Sequence, residues 1–109
     1  MSDQDTTVAA LRALVESFVD QREWHQFHSP KNLSMSLAVE AAELMEHFQW
    51  ITGEASRQIG RDSRKLDAVS DELADVMCYA LALANELSID VDTAMRVKMK
   101  KNEAKYPIR

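Results

Sequence analysis

The chain has 109 residues, of which 46% are hydrophobic and 28% are charged, a composition typical of one globular domain. Two glycines and two prolines are too few for an all-β protein rich in tight turns, and a single cysteine excludes an internal disulfide. The net charge of −5 disfavours binding to nucleic-acid phosphates, and no apolar stretch is long enough to span a bilayer. Residues 1–7 are polar and acidic, unlike a secretory signal. We therefore expect one cytoplasmic domain over residues 1–109 that binds neither nucleic acid nor membrane.

Apolar residues at helical spacing predict a first helix over residues 7–23. Residues 24–32 contain a proline and no helical stripe, which predicts a loop. A second helix is predicted to begin at an N-cap, either Asn32 or Ser34, and to run to about residue 52, where Gly53 ends it.

The second half of the chain is predicted to hold two further helices. Residues 54–65 are polar and are predicted to form a connection with one loose turn. A third helix follows over residues 66–87. Asp90 is a suitable N-cap for a fourth helix, which runs to Lys105 and is stopped by Pro107. An all-α four-helix bundle follows, and its small core leads us to expect oligomerisation.

Two of these helices carry acidic pairs on the face that should be buried. Glu40 and Glu72 each lie within about 40° of the apolar stripe of their helix, and Glu43 and Asp75 follow three residues later at its margin. Antiparallel packing would bring the four carboxylates together, and leaving even one buried charge unpaired costs several kcal/mol. A bound cation would resolve this repulsion, and oxygen-only donors favour Mg²⁺ or Mn²⁺. The alternative is a wide stripe with the acids at its wet edge.

Aromatic residues cluster near the acidic pairs. They are Trp24, Phe27, His28, Phe48, Trp50 and Tyr79. Core packing is the favoured interpretation for Phe27 and Phe48, whereas Trp50 and Tyr79 are predicted on the acidic side of their helices, where an aromatic face can stack on a planar base. A metal ion held by these acids beside aromatic faces suggests phosphate chemistry, in which the metal activates the attacking water. A glycine-rich phosphate loop is excluded by the two glycines.

The charge is unevenly distributed along the chain. Residues 96–109 hold six cations and one acid, a net charge of +5, so residues 1–95 carry −10. These cations lie late in the last predicted helix, where they interact favourably with its dipole. A basic tail beside an acidic body is equally suited to meeting one small polyphosphate. The sequence leaves both interpretations open.

Four ordered motifs carry a resemblance to a known family. They are WHQFHSP at 24–30, EAAEL at 40–44, FQW at 48–50 and ELAD at 72–75. Together they resemble the MazG-type all-α nucleotide pyrophosphohydrolases, in the branch that acts on dCTP and is marked by Trp-x-Gln-Phe-His-x-Pro and Phe-Gln-Trp. The resemblance runs from about residue 22 to residue 107. It implies Mg²⁺-dependent hydrolysis of a nucleoside triphosphate, dCTP or a modified dCTP, to the monophosphate and pyrophosphate in nucleotide-pool housecleaning.

The resemblance also implies roles for individual residues. The implied metal ligands are Glu40, Glu43, Glu72 and Asp75, and Glu43 would also orient the attacking water. The implied substrate contacts are Trp24, His28, Lys31, Asn32, Trp50, Tyr79, Lys98, Asn102, Lys105 and Tyr106. Many relatives carry Arg where this chain has Lys31. The C-terminal motif of the family is matched by Lys98, Asn102, Lys105 and Tyr106. These residues would act in their own subunit or in a neighbouring one, since relatives form dimers or tetramers.

Two other functions remain open at this point. The same chemistry could act on phosphoribosyl-ATP or on a broad set of noncanonical triphosphates. Alternatively, the chain could be a non-catalytic helical adaptor whose acids are solvated or bind a basic partner.

Overall fold

The computed structural model describes residues 1–108, and every regular element in that part of the chain is helical. The five α-helices are α1 (Val8–Gln21), α2 (Pro30–Glu46), α3 (Gly53–Arg57), α4 (Ser63–Leu87) and α5 (Val91–Lys105). Two single 3₁₀ turns, His25–Phe27 and Ile59–Arg61, precede α2 and α4. The all-α prediction is confirmed. The bundle has one more helix than predicted, because the expected connection contains α3.

Each of the five α-helices begins at a side chain that accepts hydrogen bonds from free backbone N–H groups of the first turn. Thr7 accepts a hydrogen bond from Ala10 N before α1, and Asp90 accepts one from Thr93 N before α5. Before α4, the side chain of Asp62 accepts hydrogen bonds from Arg64 N and Lys65 N. The helix therefore begins three residues earlier than predicted. The predicted N-cap Asp90 is confirmed.

The predicted start of α2 is wrong. Neither Asn32 nor Ser34 is the N-cap, because Ser29 accepts a hydrogen bond of 3.1 Å from Asn32 N and Pro30 occupies the first helical position. Proline suits that position because its fixed φ matches the helix and it lacks an N–H that would have no partner. The helix therefore begins inside the predicted loop.

The predicted end of α2 is also wrong, because the helix stops at Glu46 rather than near Gly53. Residues 47–51 form turns, and the N–H of His47 bonds to Leu44 O at 3.2 Å, which tightens the last turn. Gly53 begins α3 instead of ending α2. Thr52 caps that helix by accepting a hydrogen bond of 3.0 Å from Ala55 N.

The core lies where α4 packs against α2 and, on another side, against α1. Its buried apolar residues are Val15, Val19, Leu33, Leu81, Ala82 and Ala84. Leu33 is the one large side chain among residues 1–108 that is almost completely enclosed, with 1% of its surface exposed. This packing of α2 on α4 brings the two acidic pairs to a common interface.

Much apolar surface of the chain faces water. The radius of gyration is 16.4 Å, compared with about 13 Å for a compact domain of this length. Helix α5 buries none of its residues, and Met95, Val97 and Met99 on it are each about half exposed. None of the helices in residues 1–108 combines the length and apolar character needed to cross a bilayer.

Candidate metal and nucleotide site

Three carboxylates meet between α2 and α4. Glu40 and Glu43 on α2 and Glu72 on α4 each place one oxygen within 4.8 Å of the other two. The i, i+3 spacing sets the first two on one side of α2, and the packing of α4 brings the third. Asp75 lies outside this set, is exposed, and lines an adjoining apolar groove. The structure thus brings together three of the four predicted ligands, and the role of Asp75 stays a prediction.

The carboxylate cluster is electrostatically unfavourable on its own. Glu40 Oε2 and Glu72 Oε2 are buried and have no hydrogen-bond partner. Burial, together with the hydrogen bond and charge of Glu43, raises the pKa of Glu40 to about 7. Burial and the nearby charge of Glu43 also raise the pKa of Glu72, and the charge of Asp75 adds to both effects. The cluster must therefore hold protons or a cation.

No basic side chain in residues 1–108 neutralises these acids. The ion pairs shorter than 4.0 Å lie elsewhere, around His25 and between Arg96 and Asp92. A divalent cation fits the cluster, because two buried oxygens lack partners and all the donors are carboxylates, which suit hard ions such as Mg²⁺ or Mn²⁺.

Three of the predicted aromatic contacts form a row beside the cluster. The ring of His28 lies between Trp24, at 6.0 Å, and Tyr79, at 6.4 Å between centroids. Phe18 on α1 packs edge-on against Trp24 at 5.6 Å. His28 Nδ1 is buried without a hydrogen-bond partner, which leaves it available to a ligand. The row thus joins α1, the segment before α2, and α4.

A groove of about 520 Å³ connects the aromatic row to the carboxylates. Its lining residues are Phe27, Asn32, Met35, Ser36, Val39, Glu40 and Tyr79. The predicted residues Asn32, Glu40 and Tyr79 therefore share one groove. Asn32 also fixes the segment before α2, because its Nδ2 donates to Phe27 O at 3.1 Å.

Sequence reasoning missed the apolar side of this groove. Phe27 was assigned to the core, but it is 60% exposed and lines the groove because the segment before α2 turns it outward. Met35 and Val39 also line the groove. They lie about 140° and 100° around α2 from Glu40, so helical spacing gave no signal for them.

Two other predicted contacts do not reach the groove within residues 1–108. Trp50 lies beyond the end of α2 and is 88% exposed, so its placement on the acidic side of that helix is wrong. The early end of α2 is the cause. Lys31 is exposed in the first turn of α2, where its carbonyl oxygen accepts a hydrogen bond from Ser34 Oγ. Phe48, expected in the core, is half-buried.

The C-terminal candidates are not among the described residues that form the carboxylate cluster or line the groove. Lys98, Asn102 and Lys105 lie on α5, and Tyr106 is its C-cap, 70% exposed. Their recorded contacts are with one another or with α5 itself: Lys105 Nζ lies 5.4 Å from the Tyr106 ring. Arg109, the last cation of the basic tail, lies outside the described residues.

Residues 35–109 match the model of the MazG-like family. The chain belongs to this family. The matched region contains all three clustered carboxylates and Asp75, so the resemblance inferred from the motifs is confirmed.

Similar proteins agree with this assignment. The chain is 40% identical over 104 residues to human dCTP pyrophosphatase 1 and 36% identical over 104 residues to the bovine protein of that name. These matches cover 94% and 95% of this chain, but only 61% and 62% of the relatives. The crystal structure of a pyrophosphatase from Archaeoglobus fulgidus superposes with a TM-score of 0.82 at 35% identity, covering 99% of both chains.

Proposed function

We propose that this chain is an Mg²⁺-dependent nucleoside triphosphate pyrophosphohydrolase that converts dCTP, or a modified dCTP, to the monophosphate and pyrophosphate in nucleotide-pool housecleaning. The observation that carries the proposal is the cluster of Glu40, Glu43 and Glu72, with two buried oxygens lacking partners beside an aromatic groove. Its similarity to dCTP pyrophosphatase 1 supports cytosine as the base.

The carboxylates have two roles in the proposed reaction. The cation would be held by all four of them, those of Glu40, Glu43, Glu72 and Asp75. When bound, it would neutralise charge on the phosphate oxygens and activate water. Glu43 also orients the attacking water and accepts its proton, because a carboxylate can do so within hydrogen-bond reach. The water oxygen forms a bond to the α-phosphorus, the bond from that phosphorus to the bridging oxygen breaks, and pyrophosphate leaves.

The groove supplies recognition of the nucleoside. Tyr79, Trp24 and His28 present aromatic faces to the base, and the partnerless Nδ1 of His28 offers a polar contact. Asn32, which lines the groove, contacts the sugar or the phosphates, and Lys31, exposed in the same turn of α2, approaches the phosphates from solvent. The large exposure of Trp50 leaves it able to cover the base from outside.

Assembly into a homodimer or homotetramer belongs to the same proposal. It is supported by the 16.4 Å radius of gyration and by an α5 that buries no residue. Lys98, Asn102, Lys105 and Tyr106 then act on phosphate in a neighbouring subunit, since within one subunit they are separate from the acids. Light scattering coupled to gel filtration measures this directly, and a monomer at micromolar concentration contradicts it.

Pyrophosphate release tests the reaction. Wild type is assayed with Mg²⁺ or EDTA on the four deoxynucleoside triphosphates and 5-methyl-dCTP. Glu43→Gln should lose at least about a hundredfold in activity while remaining folded, as judged by a cooperative unfolding transition. Glu46→Gln is the matched control, because Glu46 lies on the same helix but is exposed and outside the cluster.

The outcomes separate chemistry from specificity. Metal-dependent release confined to cytosine nucleotides supports the full proposal. Equal, metal-dependent kcat/KM across the bases keeps the reaction and rejects the base assignment. An active Glu43→Gln variant rejects the assigned role of Glu43.

A further inference from the structure

His25 is held between two helices by acidic side chains. Its Nε2 lies 2.8 Å from Glu16 Oε1 on α1, and its Nδ1 lies 2.8 Å from Glu86 Oε1 on α4. Asp20, also on α1, lies 3.9 Å from Nε2. Within residues 1–108 these acids pair with no other cation, and the nearby Arg12 is occupied by Asn85 and two backbone carbonyls.

This geometry requires a protonated ring. A carboxylate at neutral pH only accepts hydrogen bonds, so Nδ1 must donate to Glu86 Oε1, while Nε2 lies 2.8 Å from Glu16 Oε1 in an ion pair, where a lone pair on that nitrogen would be repelled. A neutral imidazole has one N–H and can satisfy only one of the two contacts. The hydrogen bond that His25 donates to Glu86, and then the charges of Glu16, Glu86 and Asp20, raise the pKa of His25, although desolvation opposes them.

We call the contacts of His25 with Glu16 and Glu86 the clamp. The position of His25 in the chain connects the clamp to the residues proposed to bind the nucleotide. It follows Trp24 directly and begins the 3₁₀ turn His25–Phe27 that leads to His28. The carbonyl of His25 accepts the N–H of His28 at 3.1 Å, so moving the backbone of one moves the other.

We propose that protonated His25, clamped between Glu16 and Glu86, is a positioning residue that holds residues 24–28 in place for the nucleotide, so that substrate affinity weakens at alkaline pH. This inference rests on the proposed function for its kinetic consequence. Its structural part, a protonated clamp that orders residues 24–28, holds whether or not dCTP is the substrate.

The direction of the pH effect follows from the raised pKa. Because folding raises the pKa of His25 above 6.5, the stabilisation is complete below that pH and is lost as pH rises through the folded value. If residues 24–28 then keep their ordered position in about a third of the molecules, the apparent Kd rises about threefold. His25 contacts none of the clustered carboxylates, so its titration should not alter kcat, and the titration of Glu40 occurs equally in His25→Gln and cancels in the comparison.

The first measurement is independent of activity. Imidazole ¹⁵N NMR of the full-length protein should show His25 protonated on both nitrogens at pH 7 and titrating above 6.5, and Glu86→Gln should lower that pKa. Amide exchange at Phe27 and His28 should be faster by at least about threefold in His25→Gln, because exchange follows the disordered fraction. Asp92→Asn, which breaks an exposed ion pair of 2.7 Å on α5, is the matched control and should change neither.

Kinetics supply the second measurement. With saturating Mg²⁺, the KM of wild type for dCTP should rise between pH 6 and pH 9 by about threefold more than the KM of His25→Gln does. The KM of His25→Gln should already be high at pH 6. A neutral His25 at pH 7, or unchanged exchange and KM in His25→Gln, overturns the proposal. If no nucleotide is hydrolysed, the proposed function fails, and the NMR and exchange results alone decide about the clamp.

Discussion

Replacing Glu40 by glutamine should stabilise the metal-free protein and abolish its stabilisation by Mg²⁺. Folding raises the pKa of Glu40 from 4.5 to about 7, so the folded state holds that proton more tightly than the unfolded chain does. The associated stabilisation is therefore complete below pH 4.5 and is lost as pH rises through about 7. At pH 8 the metal-free wild type pays for an ionised Glu40 beside Glu43 and Glu72. A glutamine has no charge and can donate to both neighbours.

The magnitude follows from the same shift. A change in pKa from 4.5 to about 7 corresponds to a loss of about 3 kcal/mol in the free energy of unfolding. Glu40 is partly open to water, so screening reduces this to about 1–2 kcal/mol. For a domain of this length, that is a difference of about 4–8 °C in Tm. Mg²⁺ at about one hundred times its Kd should add about 2.7 kcal/mol to wild type alone.

Thermal unfolding by circular dichroism checks the prediction at pH 5 and pH 8, with EDTA and with Mg²⁺. In EDTA at pH 8, Glu40→Gln should be more stable than wild type, and in Mg²⁺ the order should reverse. Glu46→Gln, exposed on the same helix, should follow wild type in every condition. Wild type, Glu40→Gln and Glu46→Gln all contain His25, so its titration contributes equally to their Tm values and cancels in the comparison. Equal Tm values for the two variants in EDTA, or an Mg²⁺ response retained by Glu40→Gln, would refute the reasoning.

Three further substitutions test the fold and the groove. Leu33→Ala, at a side chain with 1% exposure, should lower the free energy of unfolding in urea by about 2–5 kcal/mol; a loss below 1 kcal/mol contradicts the assigned core. Ser88 ends α4 in the left-handed region at φ 52°, so Ser88→Gly should gain about 0.5–1 kcal/mol, whereas an equal gain from Ser88→Ala would argue against backbone strain. Trp50, at 88% exposure, should be replaceable by alanine with little change in unfolding, and the KM for dCTP should rise about tenfold if it stacks on the base. An unchanged KM would remove Trp50 from the binding site.

The acidic pairs could be predicted from the sequence because helical spacing is local. Glu40 and Glu72 fall on the apolar stripes of their helices whatever the exact ends of those helices, so their meeting requires only that α2 packs on α4. Asp75 shows the limit of that argument. Three residues from Glu72 it still shares the face, but a rotation of α4 of a few tens of degrees decides whether it joins the cluster or the neighbouring groove.

The aromatic half of the site depends on contacts between segments distant in sequence, which spacing does not reveal. Trp50 was placed by extending α2 through residues 47–52, yet the helix ends at Glu46, and Thr52 caps the next helix instead. Phe27 was assigned to the core by its hydrophobicity alone. Its exposure depends on how residues 24–28 are held, and the clamp on His25 comes from acids on two other helices.

The acids themselves explain why inward charge was an informative signal. A chain under selection for stability alone would place an apolar residue at position 40, because the carboxylate there is desolvated and repelled by its neighbours. Retaining three carboxylates within 4.8 Å therefore makes the metal-free fold weaker at neutral and alkaline pH. A cation that all three carboxylates contact would offset that loss. Stability and cation binding thus oppose each other at the same side chains, and this opposition is what distinguishes a ligand cluster from a packed core.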